Sequence, residues 1–422
     1  MGEDPPGEQD RGWDSSITMN QARITFLAGC LEPAKDGVGD YTRALAESCA
    51  ERGIACQLIA LNDSFVDAVE EYPSSTHTLI RELRLPRTMN WQDRFKLIRN
   101  SLNQFNPSVV SLQFVSYGLH HRGLVGQLLK PIRNCISGFP VHMMMHELWI
   151  GEGSRALLKD RLVGALQKHM ILRFLNVISP QIVHTSNRAY QALLEQNGIQ
   201  TGILPLFGNI PLGAINANER MAGILNKVDS RGPLDRKNCW LLGIFGTLHP
   251  EWPAEPLFTH LKNAADDTGR KIILFSIGRI GRGQDLWSAL SKKYEMPFHF
   301  IQLGELQREE VSAIFNSLDA GIAATPHDLL GKSASAIAML EHGLPVIVNR
   351  VESTFPHLSY SKKSENDLVI RMDEHLTERL KAGLIKGEKQ ARLSRVTDQF
   401  IHSLEIDSFV PLATAAEPPK VA

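Results

Sequence analysis

Arg23-Ile-Thr-Phe-Leu-Ala-Gly29 is a short apolar run that stops at a glycine, which is typical of a buried β-strand. After a loop, residues 40–52 carry apolar side chains at helical spacing and are followed by Gly53. Residues 55–61 form a second apolar run. A strand, a helix and another strand in this order indicate a parallel sheet whose strands are joined by crossover helices.

The same alternation continues through the first half of the chain. Further buried strands are predicted at residues 109–114, 141–145 and 182–185. Helices are predicted at residues 155–176 and 188–196. Residues 203–207 contain Pro205, so this segment is expected to be an edge strand or an exit from the domain.

Residues 208–236 interrupt the alternation. They are rich in Gly, Pro, Asn, Asp and Arg, with one helical patch near residues 220–228, and are predicted to be a linker. The alternation then restarts, with strands predicted at residues 240–245, 272–277, 299–303, 320–324 and 345–348. Helices are predicted at residues 253–268, 307–316 and 333–342.

The whole pattern predicts an α/β fold of two Rossmann-like, doubly wound parallel-sheet domains that face a central cleft. The N-terminal domain is assigned to residues 19–207 and the C-terminal domain to residues 237–370. Residues 1–18 are predicted to be a disordered tail, and residues 371–422 to be C-terminal helices, near 374–404, with a loose end. Ligands of such sheets bind beyond the carboxyl ends of the strands, which places the expected site in the cleft.

Composition narrows the class of protein. The 422 residues are 43% hydrophobic with a net charge of -1, which gives no reason to expect a nucleic-acid partner. The five cysteines are scattered and form no C-x-x-C pair, which fits a reducing, cytoplasmic compartment. No run approaches the roughly 20 apolar residues that span a bilayer, and the polar N-terminus does not resemble a signal peptide. Residues 159–173 combine basic with apolar side chains, and such a helix could lie on an anionic membrane surface. The alternative is that this helix packs on the protein's own sheet.

The loop after the first strand, Asp36-Gly-Val-Gly-Asp-Tyr-Thr-Arg43, is the first segment that could carry chemistry. Gly37 and Gly39 permit a close backbone approach to a ligand, and the following helix would point free N–H groups into the cleft. The alternative is a flexible glycine turn with Asp40 as the helix N-cap.

A second loop, Thr325-Pro-His-Asp-Leu-Leu-Gly-Lys-Ser-Ala-Ser335, precedes a helix of the second half. Gly331, Lys332 and Ser333 stand where that helix should start, so N–H groups, the helix dipole and an ammonium group would together favour a phosphate. The loop lacks the first glycine of a Walker A motif. The alternative is a capped surface helix with a lysine that has no such role.

Two further segments complete the candidate site. His142-Met-Met-Met-His146-Glu147 ends a strand, so His146 and Glu147 are expected to face the cleft as catalytic or sugar-binding groups. A zinc site is disfavoured because two histidines four apart on a strand lie too far from each other. In the second half, Gly246, Thr247 and Arg279 follow strands and are candidates for contacts with a diphosphate; simple turn chemistry is the alternative.

Several segments together resemble the GT-B glycosyltransferases, in particular the large retaining family whose members assemble bacterial polysaccharides. The resemblance spans residues 23–350 and rests on the following segments: Gly37-Val-Gly-Asp-Tyr-Thr-Arg43, His184-Thr-Ser-Asn187, Leu204-Pro-Leu-Phe-Gly-Asn-Ile-Pro211, Leu303-Gly-Glu-Leu306, Asp319-Ala-Gly-Ile322 and Glu341-His-Gly-Leu-Pro-Val346. It implies transfer of a sugar from a nucleotide-diphosphate donor, bound by the C-terminal domain, to an acceptor on the N-terminal domain. That acceptor would be a glycan, a lipid-linked molecule or a small molecule, and no metal or other cofactor would be obligatory.

The chain departs from that family at one point. The family carries two glutamates around its donor-binding helix, and the matching positions here are Leu330 and Ala338. Asp328 and Glu341 are candidate substitutes. Retention or inversion of the anomeric configuration therefore stays open. The alternatives are a non-catalytic glycosyltransferase-like binding subunit and a sugar phosphorylase or nucleotide-sugar epimerase of the same architecture.

Overall fold

The structure is a computed structural model that describes residues 22–73, 77–153, 156–213, 221, 235–294, 297–360 and 366–405. The predicted disordered tail, most of the predicted linker with its helical patch, and the loose C-terminal end lie outside the described residues. Those expectations therefore stay predictions.

The first half alternates strands and helices as the sequence pattern indicates. Its strands are β1 (Arg23–Ala28), β2 (Ala55–Asp63), β3 (Glu70–Pro73), β4 (Ile80–Pro86), β5 (Val109–Phe114), β6 (Val141–Met145), β7 (Ile182–Thr185) and β8 (Gly202–Ile203). Its helices are α1 (Gly37–Ala50), α2 (Trp91–Phe105), α3 (Ser116–Leu119), α4 (Leu129–Ile136), α5 (Leu158–Ile178) and α6 (Arg188–Gln196).

The second half follows the same scheme. Its strands are β9 (Cys239–Phe245), β10 (Lys271–Ile277), β11 (Phe298–Gly304), β12 (Ala320–Ala323), β13 (Val346–Val348) and β14 (Val369–Arg371). Its helices are α7 (Ala254–Thr268), α8 (Gln284–Lys293), α9 (Arg308–Ser317), α10 (Ala334–Glu341), α11 (Leu376–Ala382) and α12 (Leu393–Ser403). A short 3-10 helix (His327–Lys332) lies just before α10.

Each half is built on one sheet. The first has the order β3-β4-β2-β1-β5-β6-β7-β8, and the second has the order β11-β10-β9-β12-β13-β14. All paired strands are parallel except β3, which pairs with β4 in the antiparallel direction. The winding reverses between β1 and β5 in the first sheet and between β9 and β12 in the second, which is the doubly wound topology.

Apolar residues cover both faces of each sheet. Along β1, Phe26 enters one core and Leu27 enters another, because successive side chains of a strand point to opposite faces. In β9, Leu242 and Leu241 likewise belong to two different cores. Burial on both faces explains why the strands read as continuous apolar runs rather than alternating ones. The predicted α/β, doubly wound fold is confirmed.

The last helices connect the two halves. Helix α11 packs against α7 of the second half, whereas α12 packs against α1 of the first half. The Arg52 guanidinium bonds Asp398 at 2.8 Å, and the Phe400 ring stands 5.8 Å from that of Phe26. The chain thus returns to its first domain after completing the second. None of the described helices is both long enough and apolar enough to cross a membrane.

Candidate functional site

The site is a cavity of about 450 Å³ to which both halves contribute. In the first half it lies beyond the carboxyl ends of β1, β5 and β6, where it is lined by Gly29, Val115 and His146. In the second half it meets Lys332 and Ala334 at the start of α10. It therefore occupies the switch point of the first sheet, where ligands of doubly wound sheets bind.

The glycine loop enters this cavity at the first turn of α1. Asp36 caps the helix, since its carboxylate accepts hydrogen bonds from the N–H groups of Val38 at 2.9 Å and Gly39 at 2.8 Å. The alternative that makes Asp40 the cap is wrong, because the helix already begins at Gly37. Asp36 thus takes two of the free N–H groups of the first turn, and Asp40 lies inside the helix.

The two glycines of this loop have different environments. Gly37 lines the cavity, and a Cβ added there would meet nothing within 4 Å. A Cβ on Gly39 would lie 2.5 Å from the Cys30 carbonyl oxygen, so this glycine lets α1 pack closely on the loop after β1. Asp40 accepts the Ala34 N–H at 3.1 Å and lies 3.8 Å from Arg308 of the second half.

His146 is buried at the inner wall of the cavity. Its Nε2 atom is 2.9 Å from Oε1 of Gln113, and its ring is T-shaped to the Tyr41 ring at 5.0 Å between centroids. Burial lowers the pKa of His146 to about 3, so the imidazole is neutral near pH 7. A neutral imidazole can donate or accept a hydrogen bond but cannot act as a preformed acid.

Glu147 and Lys332 face each other across the cleft. The Lys332 ammonium donates to Tyr190 Oη at 3.0 Å and to Glu147 Oε1 at 3.4 Å. Burial alone would lower the pKa of Lys332, but the oxygens of Tyr190 and Glu147 outweigh it and raise this pKa. The lysine is therefore held as a cation at the point where the two halves meet.

The neighbours of Lys332 have structural tasks. Ser333 is the N-cap of α10 and accepts the Ala336 N–H at 3.3 Å. A Cβ on Gly331 would lie 2.8 Å from the Ser186 carbonyl oxygen, so this glycine allows the second half to approach the first. Lys332 itself is the last residue of the 3-10 helix, and α10 begins at Ala334, one residue after the start predicted at residue 333.

Three residues of the second half that were predicted to contact the donor diphosphate do not line the cavity. Gly246 follows β9 at a φ of +86°, and a Cβ there would approach the Ser335 side chain at 3.7 Å. Thr247 packs its methyl group against the turn at Gly281. Arg279 pairs with Glu305 at 2.6 Å on the exposed rim. The structure thus brings Gly246 to the N-terminus of α10, while Thr247 and Arg279 stand apart from the cavity.

The candidate substitutes for the family's glutamates have other partners. Asp328 accepts hydrogen bonds from the Thr354 N–H at 2.6 Å and the Tyr360 hydroxyl at 2.7 Å. Glu341 is buried and accepts the Arg392 N–H at 3.1 Å, at the place where the chain crosses between the halves. Both carboxylates therefore hold loops together and do not line the cavity.

Sequence reasoning did not single out several cavity residues. The Tyr41 hydroxyl is buried against the cavity and has no hydrogen-bond partner among the described residues. Gln113, Tyr117 and Asn209 also line it. Tyr41 stacks on Phe207 at 4.6 Å, so its ring packs as a core residue does while its hydroxyl borders the cavity. A buried hydroxyl without a partner costs free energy, which suggests that a ligand completes it.

Across the described part of the chain, no group of three or more His, Cys, Asp or Glu side chains is placed to hold a metal ion. His142 does not join His146 as a ligand pair, since its Nε2 bonds His184 at 3.0 Å instead.

Comparisons with known proteins connect the chain to one fold. No protein-family model matches it, and no curated protein sequence matches it. Solved structures do match. Trehalose-6-phosphate synthase shares 9% identity at a TM-score of 0.55, with 92% of this chain and 100% of the other covered. The Anabaena protein HepE in complex with UDP and glucose shares 12% identity at a TM-score of 0.54, with 92% and 97% covered.

UDP-GlcNAc 2-epimerase from Methanocaldococcus jannaschii also matches, at 10% identity and a TM-score of 0.50, with 90% and 99% covered. These likenesses extend over nearly the whole of each chain, so they concern both domains and their arrangement. The protein therefore has the GT-B fold, as the resemblance implied. At these identities the likeness concerns architecture, and the chemistry has to be argued from the site.

Proposed function

We propose that the protein is a glycosyltransferase that moves a sugar from a nucleotide-diphosphate donor to an acceptor bound on the first half. The observation that carries this proposal is the Lys332 cation, held at the start of α10 and facing His146 and Glu147 across one cavity. Negative charge develops on the leaving diphosphate, and an ammonium beside a helix N-terminus stabilises such charge.

The absence of the family's two glutamates changes which residues could bind the donor. Leu330 and Ala338, which occupy the family's glutamate positions, are both buried. No acidic side chain therefore stands there to bind the donor's ribose or sugar. The polar side chains that line the cavity on the first half are instead those of Asp36, Tyr41, Gln113, Tyr117, His146 and Glu147. We infer that donor recognition depends more on this wall than in the family that the chain resembles.

Nucleotide binding tests the proposal directly. UDP, GDP and ADP and their common sugar derivatives are titrated against the protein in a thermal-shift experiment. One nucleotide, at about 100 times its dissociation constant, is expected to add roughly 2.7 kcal/mol of stability. If none of them raises the melting temperature, the non-catalytic binding subunit becomes the better explanation.

Metal dependence is tested with the same nucleotide. We propose that Lys332 and the helix N-terminus replace a divalent cation, so transfer should proceed undiminished in EDTA. Product analysis separates the remaining enzymatic alternatives. A phosphorylase would release a sugar phosphate when given inorganic phosphate, and an epimerase would isomerise the sugar while it stays on the nucleotide.

We also propose that α5 touches an anionic membrane and that the acceptor is lipid-linked. Leu158, Leu162 and Leu166 share one face of α5 and are exposed, Leu158 by 75%. The basic side chains of Lys159 and Arg161 flank this face. An exposed apolar stripe beside basic groups suits the surface of an anionic bilayer.

The position of this stripe relates it to the site. A Cβ on Gly164 would lie 1.8 Å from the Ile150 carbonyl oxygen, so α5 packs tightly on the loop that follows Glu147. Gln167 of α5 donates to the hydroxyl of Tyr117, which lines the cavity, at 2.8 Å. A membrane that contacts α5 would therefore lie beside the acceptor half of the cavity.

Vesicle binding checks this surface. Leu158→Ser with Leu162→Ser is expected to weaken binding to phosphatidylglycerol vesicles about tenfold or more, because apolar burial is lost. Ile385→Ser is the matched control, since Ile385 is 85% exposed on the second half. Equal losses in both variants, or equal binding of the wild type to phosphatidylcholine vesicles, would contradict a specific anionic surface.

A further inference from the structure

A continuous line of hydrogen bonds runs under the cavity, from His146 to His184. Nε2 of His146 is 2.9 Å from Oε1 of Gln113, and Nε2 of Gln113 donates to Oγ of Ser111 at 2.8 Å. Oγ of Ser111 is 2.8 Å from Nδ1 of His142, whose Nε2 is 3.0 Å from Nδ1 of His184. The line crosses three neighbouring strands, β5, β6 and β7.

These side chains share one face of the first sheet. Ser111 pairs in register with His142, and alternate residues of a strand point to the same face. All five residues of the line are buried. The Phe400 ring covers it from outside, edge-on to His142 at 5.2 Å. Buried polar side chains in an otherwise apolar core are costly unless they find partners, and each of these five side chains has at least one.

All three imidazoles of the line are neutral. Burial lowers the pKa of His146 to about 3 and that of His184 to about 4. Burial, with the nearby His184 and His146, also lowers the pKa of His142 well below its ordinary value. Each ring then carries a single proton, which must reside on one of its two nitrogens.

The carboxamide of Gln113 sets the direction in which the line donates. Its oxygen faces His146, so His146 must donate from Nε2, and its nitrogen faces Ser111, so Ser111 must accept there. The Ser111 hydroxyl then donates to Nδ1 of His142, and His142 donates from Nε2 to His184. All hydrogen bonds from Gln113 to His184 can form at once only when each group donates to the next one in this order.

We propose that Gln113, Ser111, His142 and His184 are positioning residues that hold His146 in its Nε2–H tautomer, leaving Nδ1 as a hydrogen-bond acceptor. No hydrogen bond to Nδ1 is formed within the described part of the chain, and His146 lines the cavity. If the protein transfers a sugar as proposed above, Nδ1 of His146 would accept a hydrogen bond from a hydroxyl group of that sugar. The second-half groups, centred on Lys332, would then read only the diphosphate.

Nitrogen-15 NMR of histidine-labelled protein, without any ligand, tests the tautomer. The protonated and unprotonated ring nitrogens resonate far apart, and the His146 signals are assigned by their loss in His146→Gln. The wild type should show Nε2 protonated and Nδ1 unprotonated. Gln113→Met should shift the tautomer ratio of His146 roughly tenfold towards Nδ1–H, the equivalent of about 1.4 kcal/mol.

Gln57→Met is the matched control. Gln57 is an equally buried glutamine of the same sheet that joins two hydroxyl groups, accepting from Thr25 at 3.1 Å and donating to Ser101 at 2.8 Å, without contacting a histidine. The Gln57→Met variant should lose about as much stability as Gln113→Met and leave the His146 nitrogen signals unchanged. Ser111→Ala, which keeps the Gln113 contact but frees its carboxamide to rotate, should give an intermediate ratio.

The outcomes separate this inference from the proposed function. A wild-type His146 that carries its proton on Nδ1, or a spectrum that Gln113→Met leaves unchanged, would overturn the inference even if the protein transfers sugar. Conversely, the predicted tautomer in a protein that binds no nucleotide would leave the line of hydrogen bonds standing and refute only the assigned sugar contact.

Discussion

Lys332→Met is expected to lower kcat/KM for sugar transfer about 100- to 1,000-fold, as does the loss of one preorganised group that stabilises developing charge in other enzymes. The methionine keeps the volume of the side chain and removes the ammonium that now meets Glu147 and Tyr190. Because negative charge on the diphosphate grows towards the transition state, kcat should fall more than the affinity for the nucleotide. Steady-state kinetics with the nucleotide sugar found in the thermal-shift experiment measure both.

Lys168→Met provides the matched control for this substitution. Lys168 also pairs with one glutamate, Glu152, at 3.1 Å, and its ammonium lies 5.3 Å from the Trp149 ring. Lys332 lies at the same 5.3 Å from the Tyr190 ring, and the two lysines are similarly exposed. Lys168→Met should therefore reproduce any general loss of stability while leaving kcat/KM within about twofold. Comparable losses in the two variants would remove Lys332 from the chemistry.

The fold was predictable wherever strands are uniformly apolar. Strands β5, β6 and β7 were placed residue for residue, because both faces of the sheet are buried and the apolar runs stop where the strands stop. The same rule placed β9 to β13 to within about two residues at each end. Helix α6 was also predicted with its observed limits.

Strand β4 escaped prediction for a physical reason. Its sequence, Ile80-Arg-Glu-Leu-Arg-Leu-Pro86, contains charged residues, yet Glu82 and Arg84 are buried. Arg84 pairs with Asp63 at 2.8 Å and with Glu32 at 2.6 Å, and Arg43 pairs with Glu82. Such partners come from other elements, so the charges looked solvent-exposed in the sequence.

Part of the candidate site was predictable because some of its segments carry local sequence signals, whereas the rest depends on contacts between distant residues. A glycine loop after a first strand and a lysine before a helix have local signals, and the structure places Gly37 and Lys332 on one cavity. The partners of Lys332 lie 142 and 185 residues away in the chain, at Tyr190 and Glu147. The line from His146 to His184 depends on which strands are neighbours. Only the three-dimensional structure supplies that information.

Acidification from pH 7 to about pH 5 is expected to remove roughly 4 kcal/mol of stability through two buried histidines, His146 and His184. A histidine whose folded-state pKa lies below its ordinary 6.5 stabilises the fold above pH 6.5, and this contribution is lost as the pH falls towards the folded-state value. For His146, with a pKa of about 3, and His184, at about 4, the loss near pH 5 is about 2 kcal/mol each. Burial also lowers the pKa of His142 well below its ordinary value, so His142 adds to this loss in the same direction.

The change of unfolding free energy with pH, measured by urea denaturation between about pH 5 and 7, tests this expectation. This window lies above the ordinary carboxylate range, so histidines make the largest contribution. Burial raises the pKa values of Asp36 and Glu341, and these two carboxyl groups oppose the histidine contribution. Burial also lowers the pKa values of His327 and His342, which steepens the dependence further. His142→Gln should reduce the slope, by no more than about 1.4 kcal/mol per pH unit, the limit for one proton, whatever it does to stability at pH 7. A wild-type slope near zero would mean that these buried histidines take up protons while the protein is folded, which would contradict the expectation.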